Sequence, residues 1–210
     1  MDALAFGVTW LDYAAVAVFG ATGALAAARR NHDIVTFGFF AAVTGVGGGT
    51  LRDLLIGAPV FWTHQPAFVA VCLIAAVAVW LFGSSRSRET ILLWLDALGM
   101  AAYSVVGAAK AETFGVAPLA AMVMGVLTAT FGGVVRDVLA GEPSVLLRRD
   151  IYITAAVVGA AAYVGARVLG LPSLAADLIG FAAAFALRAC AIVWRWTLPG
   201  FADYRRQVDI

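Results

Sequence analysis

Cysteine is almost absent from this 210-residue chain. Cys72 and Cys190 each stand alone in an apolar run, which excludes a disulfide framework and a thiolate metal site. Both read as small buried side chains. The two histidines, His32 and His64, are single and fall in connections, so they are expected on solvated surface rather than in a metal cluster. No serine, histidine and acid converge for hydrolysis, and no nucleotide-binding glycine loop is present. The chain therefore reads as neither an enzyme nor a cofactor protein. Charge is also scarce, at 13% Asp, Glu, Lys and Arg with a net of +1, where a soluble domain carries about a quarter. The arginines come in scattered pairs rather than a patch, which excludes a nucleic-acid-binding surface. A potassium-filter loop of the TVGYG kind and a ladder of voltage-sensing arginines are missing too, so any ion selectivity has to come from path width and a few polar groups.

What is abundant is apolar. Hydrophobic residues make up 63% of the chain and the mean hydropathy is +0.94, values that place it in a bilayer. A span takes roughly 20 mainly apolar residues, and seven such runs are legible: 10–28, 34–57, 67–83, 91–110, 116–140, 151–169 and 174–194. Asp2, with no early Lys or Arg, argues against a cleaved signal peptide. Pro118 and Pro172 suit span starts, and Pro59 and Pro143 suit span ends. Trp10, Trp62, Trp94, Trp194 and Trp196 fall near boundaries, as an aromatic belt does. With the N-terminus outside, the inner connections and tail carry Arg29, Arg30, Arg86, Arg88, Arg148, Arg149, Arg195, Arg205 and Arg206, against Lys110 and Arg167 outside. The positive-inside rule then sets the N-terminus outside and the C-terminus in the cytoplasm.

The chain also repeats itself. Gly48-Gly49-Thr50-Leu51-Arg52-Asp53 returns 84 residues later as Gly132-Gly133-Val134-Val135-Arg136-Asp137, and Gly57 and Pro59 return as Gly141 and Pro143. An ungapped pairing of 11–59 with 95–143 keeps 14 of 49 positions, among them Asp12/Asp96, Gly23/Gly107 and Thr44/Thr128. Apolar bias would align alanine and leucine, not an Arg-Asp pair with its glycines. Each unit, about 8–83 and 91–169, holds three spans. An odd number forces the second unit to enter the membrane from the other side, so the pair forms an inverted repeat. The seventh helix, about 174–194, and a tail, 195–210, are additions. Inverted repeats with interrupted helices place a solute path between their halves.

Gly47, Gly48 and Gly49 lie inside the second span and Gly132 and Gly133 inside the fifth. Each interior glycine costs about 1 kcal/mol of helix propensity, so the clusters are expected to bend or loosen the helices beside a wet path. The alternative is close helix packing on small residues, the reading preferred for Gly23 and Gly107. Intramembrane charges face protein or water and take partners. Arg52 and Asp53 project about 100° apart on a helix and are not expected to satisfy each other. Span depth instead groups Asp12, Arg52 and Asp53 at the outer end and Asp96, Arg136 and Asp137 at the inner end. The competing reading makes the arginines interfacial anchors that snorkel to headgroups. Thr44, Thr128 and Thr130 lie near the glycines, able either to cover carbonyls or to meet a passing ion. Lys110 and Glu112 read as a span-end pair in water.

The paired Gly-Gly-Gly-x-x-Arg-Asp (47–53) and Gly-Gly-x-x-Arg-Asp (132–137), in duplicated three-span units with a seventh span, resemble the prokaryotic trimeric intracellular cation (TRIC) channels over about residues 8–195. The resemblance implies an all-α membrane protein of seven transmembrane helices with kinked helices 2 and 5. It implies homotrimers with a pore in each protomer, lined by those helices, in a bacterial or archaeal inner membrane. The implied partners are monovalent cations, chiefly potassium, and membrane lipid. The kinks would fall at Gly47, Gly48, Gly49, Gly132 and Gly133, with Arg52, Asp53, Arg136 and Asp137 by the pore. No Lys-Glu-Val motif of the animal members stands near Asp96, so lipid or calcium regulation is not implied. The wider bacterial family includes proteins linked with glycine uptake, and a secondary transporter for a small zwitterion is the second reading.

Overall fold

The computed structural model describes residues 3–82, 86–144 and 150–198, with the backbone alone given at 3–11, 86–89 and 91–92. Arg148, Arg149, Arg205 and Arg206 lie outside the described residues, as do Asp2, most of the 195–210 tail and the side chains of Trp10, Leu11, Arg86 and Arg88. Seven long helices follow the apolar runs: α1 (Ala3–Arg29), α2 (Ile34–Leu55), α4 (Ala67–Phe82), α5 (Arg86–Thr113), α6 (Pro118–Ala140), α7 (Ile153–Val168) and α8 (Ser173–Trp194). An eighth, the four-residue α3 (Phe61–His64), lies in the α2–α4 connection, a stretch too short and too mixed in composition for hydropathy to mark as helix. By length and composition, α2, α6 and α8 are long and apolar enough to cross a membrane, while α4 and α7 are shorter apolar helices of 16 residues.

The ends are set by local chemistry. Asp33 caps α2, its carboxylate accepting from the Thr36 amide at 2.8 Å. That hydrogen bond holds the exposed Asp33 carboxyl below its ordinary 3.8. A carboxyl lowered on folding stabilises above its unfolded pKa and loses that contribution as pH falls through the folded value. Asp33→Ala is therefore expected to fray the first turn of α2 at neutral pH, seen as faster amide exchange at Thr36, and to change nothing well below pH 4. Pro118 occupies the first position of α6, where its missing N–H is no loss. Past the ends of α2 and α6, Gly57 and Gly141 take positive φ of 70° and 62°, which glycine adopts without strain. At both places the chain turns back onto the same aspartate: the Ala58 amide donates to the Asp53 carbonyl at 2.8 Å, and Glu142 to Asp137 at 2.9 Å.

The helices pack as two like triangles, α1 with α2 and α4, and α5 with α6 and α7. They meet along α2–α6, α1–α5, α1–α6 and α2–α5, and α8 lies outside this pair, against α5 and α7. The interior is mostly alanine with a few aromatics. Phe19 and Tyr103, equivalent positions of the two units, stack on each other at 5.5 Å. Large apolar side chains point outward instead, among them Val35, Ile74, Leu81, Leu119 and Leu169. Cys72 is buried as expected, but Cys190 is half-buried; both are free thiols. His32 and His64 are exposed. Trp194 and Trp196 are exposed and stacked at 5.3 Å, whereas Trp62 turns inward to donate to the Thr50 hydroxyl at 2.8 Å.

Candidate functional site

The site begins at the α2–α6 crossing. A Cβ on Gly48 would strike the backbone carbonyl of Thr128, and one on Gly132 would strike that of Thr44. These four residues are two pairs of repeat equivalents. Position 44 faces 132 while 48 faces 128, so the two helices run antiparallel across the contact. The helices run unbroken through their glycines, where helix propensity alone predicts loosening. Backbone-to-backbone packing accounts for Gly48 and Gly132, because only glycine lets the carbonyls approach so closely. A Cβ on Gly47 would have more room, 3.8 Å from the Gly132 Cα; one on Gly49 would come within 2.6 Å of the Phe61 ring, and one on Gly133 within 3.6 Å of the Arg136 side chain. Gly23 and Gly107 pack against Thr44 and Thr128 respectively. Both threonines are buried. Thr128 bonds back to the Met124 carbonyl at 2.6 Å, while the Thr44 hydroxyl has no partner among the described residues.

Antiparallel crossing sends the two Arg-Asp pairs to opposite ends. Each arginine lies six residues beyond the centre of the contact, so at 1.5 Å rise per residue the two sit about 18 Å apart along the seam. At the first end, Asp53 is wholly buried and organises everything around it. Its Oδ1 accepts Arg52 Nε at 2.9 Å and Nη2 at 2.8 Å, and meets Lys110 Nζ at 2.8 Å; its Oδ2 accepts the Phe61 amide at 3.0 Å. Two expectations are corrected here. Arg52 and Asp53 do pair, because the long arginine stem swings its guanidinium across its own turn. Lys110 is not a solvated end group; it reaches in from α5 over the Phe61 ring, 5.9 Å from its centroid. The cluster walls a cavity of about 290 Å³, lined among others by Asp12, Gly49, Arg52, Gln65, Tyr103 and Lys110. That is room for several waters. Asp12 shares the cavity rather than the ion pair.

At the second end Arg136 repeats the pattern, with Nε and Nη2 both 2.9 Å from Asp137 Oδ1. Its Nη1 donates to the Thr22 hydroxyl at 3.0 Å and lies 4.0 Å from Asp96 Oδ1. Both guanidiniums thus face protein rather than lipid, and Arg52 is only 4% exposed. Lys110 has no repeat equivalent here, since 84 residues earlier stands Ala26. Sequence reasoning also missed Arg188 of α8, 6% exposed, which donates to the Ile151 carbonyl at 3.2 Å and lies over the Tyr152 ring. A lone arginine in the apolar 174–194 run was the available signal, by the same insertion argument applied to Arg52. Glu112, also expected in water, accepts from Tyr163 at 2.6 Å and from Arg167 at 3.2 Å. The Tyr163 hydroxyl and then Arg167 hold the Glu112 carboxyl below its ordinary range.

The geometry is a two-fold seam, closed by glycine at its centre and carrying buried carboxylate–cation clusters at both ends. A family model described as Glycine transporter matches the chain twice, at residues 9–84 and 93–167. The UPF0126 inner membrane protein YadS of Escherichia coli (strain K12) is 36% identical over 199 residues, covering 93% of this chain and 96% of that protein. Among solved structures, the TRIC trimeric intracellular cation channel orthologue from Rhodobacter sphaeroides superposes with a TM-score of 0.86 at 50% identity, over 90% of this chain and 98% of that one. A second TRIC cation channel superposes with a TM-score of 0.83 at 28% identity, over 91% and 96%. The chain belongs to the trimeric intracellular cation channel family, within the wider family that the Glycine transporter model describes.

Proposed function

We propose that the protein is a potassium-permeable channel for monovalent cations in a bacterial or archaeal inner membrane, a homotrimer with one path inside each protomer. The observation that carries this reading is the antiparallel α2–α6 seam with a buried Arg-Asp cluster at each end. The likeness to the Rhodobacter sphaeroides channel, at half identity over nine-tenths of the chain, supports it. In this reading the conformation described above is closed. The cavity beside Asp53 is a vestibule that stops where Gly48 and Gly132 bring the backbones together. Opening parts α2 from α6, with Gly47, Gly49 and Gly133 absorbing the bend, and exposes Thr44, Thr128 and their carbonyls to the ion. Asp12, Arg52, Asp53, Asp96, Arg136 and Asp137 set the field at the two mouths. Paired carboxylates and cations leave that field weak, which agrees with modest selectivity among monovalent cations.

All seven long helices span the membrane in this proposal. The 16 residues of α4 and α7 reach about 24 Å, a mismatch that local thinning of the bilayer absorbs. The outward apolar side chains face lipid and neighbouring protomers. The N-terminus is outside. An impermeant maleimide applied to intact cells is then expected to label His64→Cys and to spare His32→Cys; the reverse pattern would invert the orientation.

Purified protein in planar bilayers under a potassium chloride gradient tests the function. Discrete unit steps with a cation-selective reversal potential are expected. Saturable glycine flux without steps would instead establish a transporter, and neither activity would leave a membrane scaffold.

A further inference from the structure

Past the end of α2 the chain folds back over the cavity beside Asp53 and forms α3 there. The lining of that space of about 290 Å³ therefore includes Phe61 of α3 and Gln65 just after it, together with Asp12, Arg52 and Lys110. Two hydrogen bonds and one ring hold α3 in place. The Phe61 amide donates to Asp53 Oδ2 at 3.0 Å, and the Trp62 indole donates to the Thr50 hydroxyl at 2.8 Å. The Phe61 ring rests on α2 at Gly49, where an added Cβ would come within 2.6 Å of it. Lys110 Nζ lies over the same ring, 5.9 Å from its centroid, and Phe68 packs T-shaped against it at 4.8 Å.

α3 itself buries no residue, whereas α2 and α4 on either side of it do. A segment held by a few polar contacts and no core opens locally at much lower free energy than the helices it joins. Its two ends are fixed for such a movement. On one side the Ala58 amide is tied to the Asp53 carbonyl at 2.8 Å, and on the other the Phe68 amide is tied to the Gln65 carbonyl at 3.2 Å, so that residues 59–64 swing between them. We infer that α3 is a lid on the Asp53 cavity, latched by Asp53, Thr50 and the ring seat at Gly49, and that it shuts the vestibule independently of the α2–α6 crossing. Among the described residues the second end has no counterpart, since no helix lies between α6 and α7. The closing of the cavity stands without the channel reading; its effect on current rests on that reading.

The lid is tested by access. Val106→Cys places a thiol on the wall that α5 gives the cavity, and its rate of reaction with a cationic methanethiosulfonate is followed in detergent by mass spectrometry. Trp62→Phe removes the bond to Thr50 but keeps a ring, and Gly49→Ala drives the Phe61 ring from its seat. Each is expected to speed the reaction about tenfold, equivalent to about 1.4 kcal/mol taken from the closed lid. Cys190, half-buried on α8, is the internal control. Native rates at the cavity thiol in both variants would overturn the lid, and so would an equal acceleration at Cys190, which marks general loosening. In bilayers the same two variants are expected to raise open probability by a similar factor. Open probability that stays native while the cavity thiol reacts faster would overturn the lid's part in gating. A native protein without current would fail the channel reading instead, and the thiol rates would still decide whether α3 opens.

Discussion

Gly48→Ala and Gly132→Ala are each expected to cost about 3 kcal/mol of stability, the upper part of the range for forcing a methyl into a packed interior. The reason is what each new Cβ meets. At both sites it is a backbone carbonyl of the facing helix, Thr128 for Gly48 and Thr44 for Gly132. A side chain could swing away, but a carbonyl moves only if α2 and α6 separate. Gly49→Ala meets the Phe61 ring at 2.6 Å, a flexible neighbour, and is expected to cost less; Gly47→Ala, with its nearest atom at 3.8 Å, is expected to be almost neutral. Thermal unfolding in detergent ranks the four. Because Gly48 and Gly132 serve one contact, the double variant should cost less than the sum of the two. Equal costs for Gly47→Ala and Gly48→Ala would mean that helix propensity, not the crossing, governs these positions.

Asp53→Ala is expected to be the most damaging single change outside the crossing, at about 3–5 kcal/mol, because removing one partner of a buried ion pair strands the other. Here two cations are stranded, Arg52 at 4% exposure and Lys110 within the same cavity, and the Phe61 amide loses its acceptor as well. Asp137→Ala takes the carboxylate from Arg136, which keeps Thr22 and Asp96 nearby, so a smaller loss is expected. The comparison is read from unfolding midpoints of the two variants side by side. An Asp53→Ala protein as stable as the native one would return Arg52 to the role of a snorkelling anchor.

The arrangement was legible in the sequence wherever a residue type is rare in a membrane. An Arg-Asp pair recurring with its glycines announced both the duplication and the two ends of the seam. Apolar runs marked the seven long helices to within a few residues at most ends, the starts of α1 and α5 excepted. What escaped was reach. The angle between neighbouring Cβ directions says nothing of where a long guanidinium ends, so the Arg52–Asp53 pair stayed hidden. Lys110, two residues from Glu112 at a helix end, had the look of a solvated pair; only the fold of α3 over Asp53 shows that it turns inward. Glycine clusters are ambiguous by nature, since the same missing Cβ permits a bend or a close approach. At Gly48 and Gly132 the approach is what the structure uses. Arg188 was overlooked because it lies outside the repeat, where no second copy drew notice to it.

Ions are expected to pass between α2 and α6 in every protomer. Gly47→Cys places a thiol at the crossing where space exists, in a background of Cys72→Ala and Cys190→Ala. Silver ions, close to potassium in size, added during a single-molecule bilayer recording should then abolish the current in three equal, irreversible steps. Current that continues unchanged after mass spectrometry shows the thiol to be silver-bound would place the path elsewhere.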